Sequence, residues 1–122
     1  MEKIEFLKDP ATYSSNVEFV VYISQVEGKH ELLDKLSTAL CFPDYFGYNW
    51  DALLDCLRDF SWVKKKGVIL VHTKIPVLSD MELQTYIKIL VDATRDWKEE
   101  EDHYLKVIFP EEARSLIAMM LV

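Results

Sequence analysis

The sequence predicts a small α/β protein with a three-stranded parallel sheet packed with helices. Residues 67–72, Gly-Val-Ile-Leu-Val-His, are a continuous apolar run between a glycine and a polar segment, as expected of a strand covered on both faces. Two more runs rich in β-branched and aromatic residues, 18–24 and 105–109, lie on either side of it along the chain. The segments between the runs carry apolar residues at helical spacing. Strands alternating with helices need right-handed crossovers, which make the sheet parallel.

Taken in order, residues 1–17 read as a leader outside the core, and 18–24 as a buried strand. The next segment sets Leu32, Leu33, Leu36, Ala39 and Leu40 at helical spacing and stops before Pro43. A second helix is predicted from about Asn49 to Phe60. Pro43 disfavours continuation of the preceding helix, Gly47 permits a backbone turn, and the Asn49 side chain is an N-cap candidate. With a period of 3.6 residues, Asp51, Asp55, Arg58 and Asp59 fall along one side of this helix, and Trp50, Leu53, Cys56, Leu57 and Phe60 on or near the other. Leu54 points closer to the aspartates than to the apolar arc, so an exposed apolar contact is expected there. After strand 67–72 and Pro76, Ser79 and Glu82 make a capping box. Leu83, Tyr86, Ile87, Leu90, Thr94 and Trp97 then mark one face of a long helix running to the acidic block at residues 99–102, which is expected to be solvated. Strand 105–109 ends at Pro110. The tail, 111–122, reads as a short helix with exposed Leu116, Ile117, Met119 and Met120, for which docking on the domain is expected over dimerisation.

A chain of 122 residues, 50% hydrophobic, is suited to one domain spanning 1–122, with a core over about 18–109 that needs no disulfide or metal staple. The formal charge of -7 argues against a nucleic-acid or membrane-surface binder, because both present basic patches, and it fits a basic partner. Cys41 and Cys56 have neither CxxC spacing nor a histidine beside them, so two reduced thiols and no metal are expected. The three glycines leave no phosphate-cradling loop and so no nucleotide cofactor. No secretory signal is read near Glu2, Lys3 and Glu5. The apolar stretch 116–122 is far shorter than the roughly 20 residues that span a bilayer. A soluble, cytoplasmic protein is the expectation.

The most informative segment is 43–57, Pro-Asp-Tyr-Phe-Gly-Tyr-Asn-Trp-Asp-Ala-Leu-Leu-Asp-Cys-Leu, which places two carboxylates one helical turn apart directly after an aromatic loop. Each feature has a plainer reading. Asp51 complements the helix dipole for about 0.3–1 kcal/mol, and Asp55 can pair with Arg58 three residues on. Tyr45, Phe46, Tyr48 and Trp50 beside the acids suit a binding surface, although aromatics also fill cores.

In its order of proline, acid, two aromatics, glycine, asparagine, aspartate, alanine, leucine, aspartate, cysteine and leucine, this run resembles the helix-and-loop motif of the barstar family, intracellular inhibitors of the ribonuclease barnase. The resemblance extends more loosely over about 18–109. It implies a three-stranded parallel sheet with helices packed on it, and a non-catalytic inhibitor that presses this helix and loop into the basic active-site cleft of a ribonuclease. Asp55 would be the main acidic plug and Asp51 its partner. Tyr45 would be an aromatic contact, and Gly47, Asn49 and Trp50 would shape the surface. Leu54 stands where barstar has a tryptophan, and Arg58 where barstar has a small polar residue. A later-helix acid also joins the interface in the family, with Asp92 and Asp96 as the candidates here.

Two rival functions remain. An enzyme would use Asp51 and Asp55 as an acid–base pair or cation site, with His72 at a strand end where α/β proteins place ligands. Against this, a helical DxxxD pair lacks a third oxygen ligand, and His30, His72 and His103 are scattered. The expected state of His72 is a hydrogen bond to backbone or water. The other rival is a module of the same fold that binds a different basic protein. The expectation carried forward is a monomeric immunity-type inhibitor of a cognate ribonuclease or toxin nuclease domain, with no cofactor and no direct contact to nucleic acid or membrane. Its partner-binding residues are Tyr45, Gly47, Asn49, Trp50, Asp51, Leu54 and Asp55.

Overall fold

A computed structural model describes residues 3–98 and 100–121. Met1, Glu2, Glu99 and Val122 lie outside the described residues, and with them one member of the acidic block and the end of the tail. The described residues form a parallel sheet of four strands, not three: β1 (Ile4–Leu7), β2 (Phe19–Ile23), β3 (Gly67–His72) and β4 (Tyr104–Pro110), in the order β1-β4-β3-β2. The added strand, β1, lies in the expected leader. Four residues are too few for an alternating pattern to stand out; pairing with β4 makes the strand, with Ile4 opposite Val107 and Phe6 opposite Phe109. The Phe6 and Phe109 rings also pack, with centroids 6.4 Å apart.

β3 lies inside the sheet and is buried along its whole length, as its unbroken apolar run predicts. β2 is an edge strand, so the expected full burial gives way to a mixed pattern with Tyr22 exposed. On one face of the sheet, Val68, Leu70, Leu105, Val107 and Phe109 join the main core. This face is covered by α1 (Lys29–Ala39), α2 (Trp50–Leu57), α3 (Asp80–Asp96) and α4 (Arg114–Met120). On the other face, Ile69, Val71 and Ile108 are covered by Leu7, Tyr13, Val20 and Tyr104. The chain between β1 and β2 adds Tyr13 to this cover as it crosses from one edge of the sheet to the other, with a 3-10 turn at Pro10–Thr12 lying against β3 and β4. Glu18 ties the crossing down: it accepts from the hydroxyl of Tyr13 at 2.7 Å and from that of Tyr104.

Local signals set the helix starts, and tertiary contacts set several ends. Ser79 and Glu82 form the predicted capping box, with Ser79 Oγ accepting from the Glu82 N–H at 3.2 Å and Glu82 Oε1 from the Ser79 N–H at 3.3 Å. α3 stops at Asp96, ahead of the acidic block, because Trp97 takes an extended backbone (ψ 123°) and turns its ring inward. α2 ends at Leu57 rather than near Phe60, which adopts a left-handed backbone (φ 53°) and buries its ring. In the tail, Leu116 and Met119 are exposed as expected, but Ile117 is buried and Met120 half-buried, because α4 docks on the core. The Gln84 side-chain amide helps hold the tail, with Nε2 donating to Met120 O at 3.2 Å. Among the described residues, no helix is long and apolar enough to cross a membrane.

Candidate functional site

The Asn49 side chain sets the start of α2. Its Oδ1 accepts the Ala52 N–H at 2.8 Å, and its Nδ2 donates to Gly47 O at 3.3 Å. A backbone turn was expected at Gly47, and the left-handed backbone in this loop falls on Tyr48, with φ 54°. Gly47 serves by what it lacks, since a Cβ there would lie 3.2 Å from Asn49 Nδ2 and crowd the cap. The four loop aromatics divide. Phe46 is buried, with its ring 4.8 Å from those of both Phe42 and Tyr48. Trp50 is half-buried against Tyr86 at 6.2 Å, with the Lys29 ammonium 5.0 Å from its ring centroid. Tyr45 and Tyr48 face outward.

Asp51 and Asp55 are both exposed on the outer face of α2, and the Asp55 side chain is 73% accessible. Arg58 spans two helices, with Nη1 donating to Asp96 Oδ2 at 2.8 Å and Nη2 lying 3.5 Å from Asp55 Oδ1. The bond to Asp96 is the main reason the Arg58 guanidinium holds its proton even more firmly than usual. Tyr45 donates its hydroxyl to Asp59 Oδ2 at 2.7 Å. That bond holds the Asp59 carboxyl below the usual range and pushes the Tyr45 hydroxyl up to about 12. Loop, α2 and the end of α3 thus form one acidic surface. Beside it lies a cleft of about 480 Å³ lined by Arg58, Asp59, Ser61, Trp97, Glu101, Asp102 and His103.

Of the two later-helix acids, Asp96 meets α2 through Arg58, while Asp92 is exposed beside a separate cleft with Lys88, Val91, Arg95 and Leu121. The sequence left Asp96 open and gave no link between Tyr45 and Asp59: the first pairing needs α2 beside α3, and the second needs the loop folded back to the end of α2. Leu54 is half-buried and packs against the main core, so it is less exposed than its helical position suggests.

Of the groups in the enzyme reading, Asp51 and Asp55 stand exposed on α2, whereas His72 is sealed in the core. His72 is fully buried, with Nδ1 donating to Ile108 O at 3.1 Å and Nε2 accepting from the Tyr86 hydroxyl at 2.7 Å. Its second partner is thus a tyrosine, where backbone or water was expected. A carbonyl only accepts, which assigns the proton to Nδ1. Burial lowers the His72 pKa to about 4. Cys56 is buried on α2, and burial first, then Asp59 and Asp55, push its thiol up to about 11, away from nucleophile chemistry. Among the described residues, no three or more His, Cys, Asp and Glu side chains are grouped to hold a metal ion.

A family model described as barstar, the barnase inhibitor, matches residues 16–109. The match takes in the loop, α2, α3 and strands β2, β3 and most of β4, and leaves out β1 and α4. No curated protein matches the chain.

Proposed function

The chain belongs to the barstar family, a family of barnase-type ribonuclease inhibitors, and from that premise we propose that it inhibits a ribonuclease by occupying the enzyme's basic active-site cleft with α2 and the loop before it. The observation that carries this reading is Asp55, which stands 73% accessible on a helix pinned at its start by the Asn49 cap. A carboxylate held there replaces an RNA phosphate without supplying a scissile bond, so the cleft is filled and nothing turns over.

The remaining residues have distinct parts. Asp51 adds a second charge one turn away, about 6 Å along the axis. Tyr45, held by Asp59, offers a rigid aromatic edge. Gly47, Asn49 and Trp50 set the shape of the surface around the acids, and Leu54 adds an apolar contact. The partner is a cognate ribonuclease or the nuclease domain of a toxin, and the protein acts as a cytoplasmic, monomeric immunity protein without a cofactor. The net charge of -7 supports a basic partner.

The test is an RNA-degradation assay with the nuclease captured by the protein, comparing the unaltered chain with Asp55→Ala. Truncating one partner of a buried charge-assisted pair costs about 2–5 kcal/mol of affinity; that range is carried over from complexes that include barnase–barstar itself. An exposed helix-face aspartate changes folding stability by less than about 0.5 kcal/mol. Strong loss of inhibition with an unchanged melt is therefore expected. Inhibition that survives Asp55→Ala removes this surface from the interface, and RNA cleavage by the protein alone favours the enzyme reading.

A further inference from the structure

We propose that Arg58 is a specificity-determining residue of the acidic surface, an internal cation that occupies Asp96 and shields Asp55, so that a basic nuclease reaches the plug only by displacing it. The inference rests on the inhibitor reading above and concerns which nucleases the surface accepts.

The two contacts of the guanidinium are unequal. The 2.8 Å bond to Asp96 is a charge-assisted hydrogen bond, whereas the 3.5 Å approach to Asp55 is an ion pair beyond good hydrogen-bond length. Asp96 is therefore largely taken, while Asp55 is screened but still accessible. The accessibilities of the three side chains, 43% for Arg58, 46% for Asp96 and 73% for Asp55, leave both contacts open to water and hence easily exchanged.

The neighbourhood also provides for the displaced side chain. The Arg58 N–H is tied into the end of α2 through Leu54 O and Asp55 O, so its backbone stays in place while its side chain can swing. Arg58 also lines the cleft of about 480 Å³ that carries Asp59, Glu101 and Asp102. An incoming cation that takes over Asp55 and Asp96 can push the guanidinium towards these carboxylates. A nuclease whose cation cannot make that exchange meets a like charge beside the plug. Discrimination then comes from a repulsive element as well as an attractive one.

Barnase serves as the probe, with its affinity and association rate measured against the unaltered chain, Arg58→Ala, Arg58→Lys, and Arg58→Ala combined with Asp96→Ala or with Asp55→Ala. Thermal melts confirm that each variant folds. Removing the internal cation should tighten binding by about fivefold, while Arg58→Lys, which keeps the charge, should stay within about twofold of the unaltered chain. Adding Asp96→Ala to Arg58→Ala should return most of the gain. Affinity that is unchanged or weaker in Arg58→Ala overturns the proposal. If Asp55→Ala leaves the binding of Arg58→Ala intact, the inhibitor surface itself is wrongly assigned and the proposal falls with it. Loss at Asp55 with no response to Arg58 overturns the proposal alone.

Discussion

The indole N–H of Trp97 donates to the carbonyl oxygen of Leu57 at 2.9 Å, so the residue that follows α3 closes the end of α2. Leu57 O is one of the last-turn carbonyls that an α-helix leaves without an internal partner. The same indole stacks on Phe60, with centroids 5.8 Å apart and planes 6° from parallel. With Asn49 capping the start, the acid-bearing helix is held at both ends. Trp62 does the same for α1, donating Nε1–H to Leu40 O at 2.9 Å.

Trp97→Phe keeps a ring on Phe60 but removes the donor to Leu57. The expected cost is about 1–2 kcal/mol of folding stability, the price of one lost hydrogen bond to a partly buried acceptor. Chemical denaturation measures it directly. An unchanged midpoint would mean that the end of α2 does not depend on this bond.

Leu54→Ala should lower both stability and affinity. A fully buried leucine truncated to alanine loses about 2–5 kcal/mol, and a half-buried one should lose about 1–2 kcal/mol. Its remaining exposed surface faces the proposed partner, so affinity per folded molecule should also fall. Melting and nuclease titration on one sample separate the two effects, and unchanged affinity for the folded fraction would assign Leu54 to the core alone.

Association with a basic nuclease should slow steeply with added salt, because steering of a chain with charge -7 acts over about 8–10 Å, the Debye length near physiological ionic strength. Dissociation should change much less. Stopped-flow mixing at several salt concentrations gives both rates, and a flat association rate would make the net charge incidental to binding.

Stability should fall on mild acidification, through His72. Its folded pKa is lowered to about 4 from an ordinary 6.5 because burial disfavours the imidazolium. The unfolded chain therefore binds the proton first, and the stability from neutral His72 is full above about 6.5 and lost as pH falls towards 4. Over that window the loss is about 3 kcal/mol. Glu18 acts lower: burial raises its pKa, but bonds from Tyr104, Tyr13 and Ser15 outweigh burial, so its contribution is lost only below the usual carboxylate range. Unfolding free energies at pH 7, 6 and 5 test the assignment, since a flat profile there excludes His72 as the responsive group.

Much of the fold was legible because its signals are local. The Asn49 cap, the Ser79–Glu82 box and the unbroken apolar run of β3 each depend on residues within a few positions of one another, where backbone sterics and periodicity act directly. The acidic face of α2 was readable for the same reason, since a 3.6-residue period places Asp51 and Asp55 together in any setting.

Tertiary packing decided the rest. β1 exists because β4 offers it an edge, and Ile117 is buried because the core has room for α4. Phe60 leaves the helical path to stack on Trp97, which lies 37 positions further along the chain, and Arg58 finds Asp96 across 38. Such pairs meet only when α2 and α3 lie side by side, and no local propensity encodes a contact between residues so far apart in the chain. The sequence alone therefore determined which helix carries the acids, and the packing of that helix on its neighbour decided which charges stand beside them.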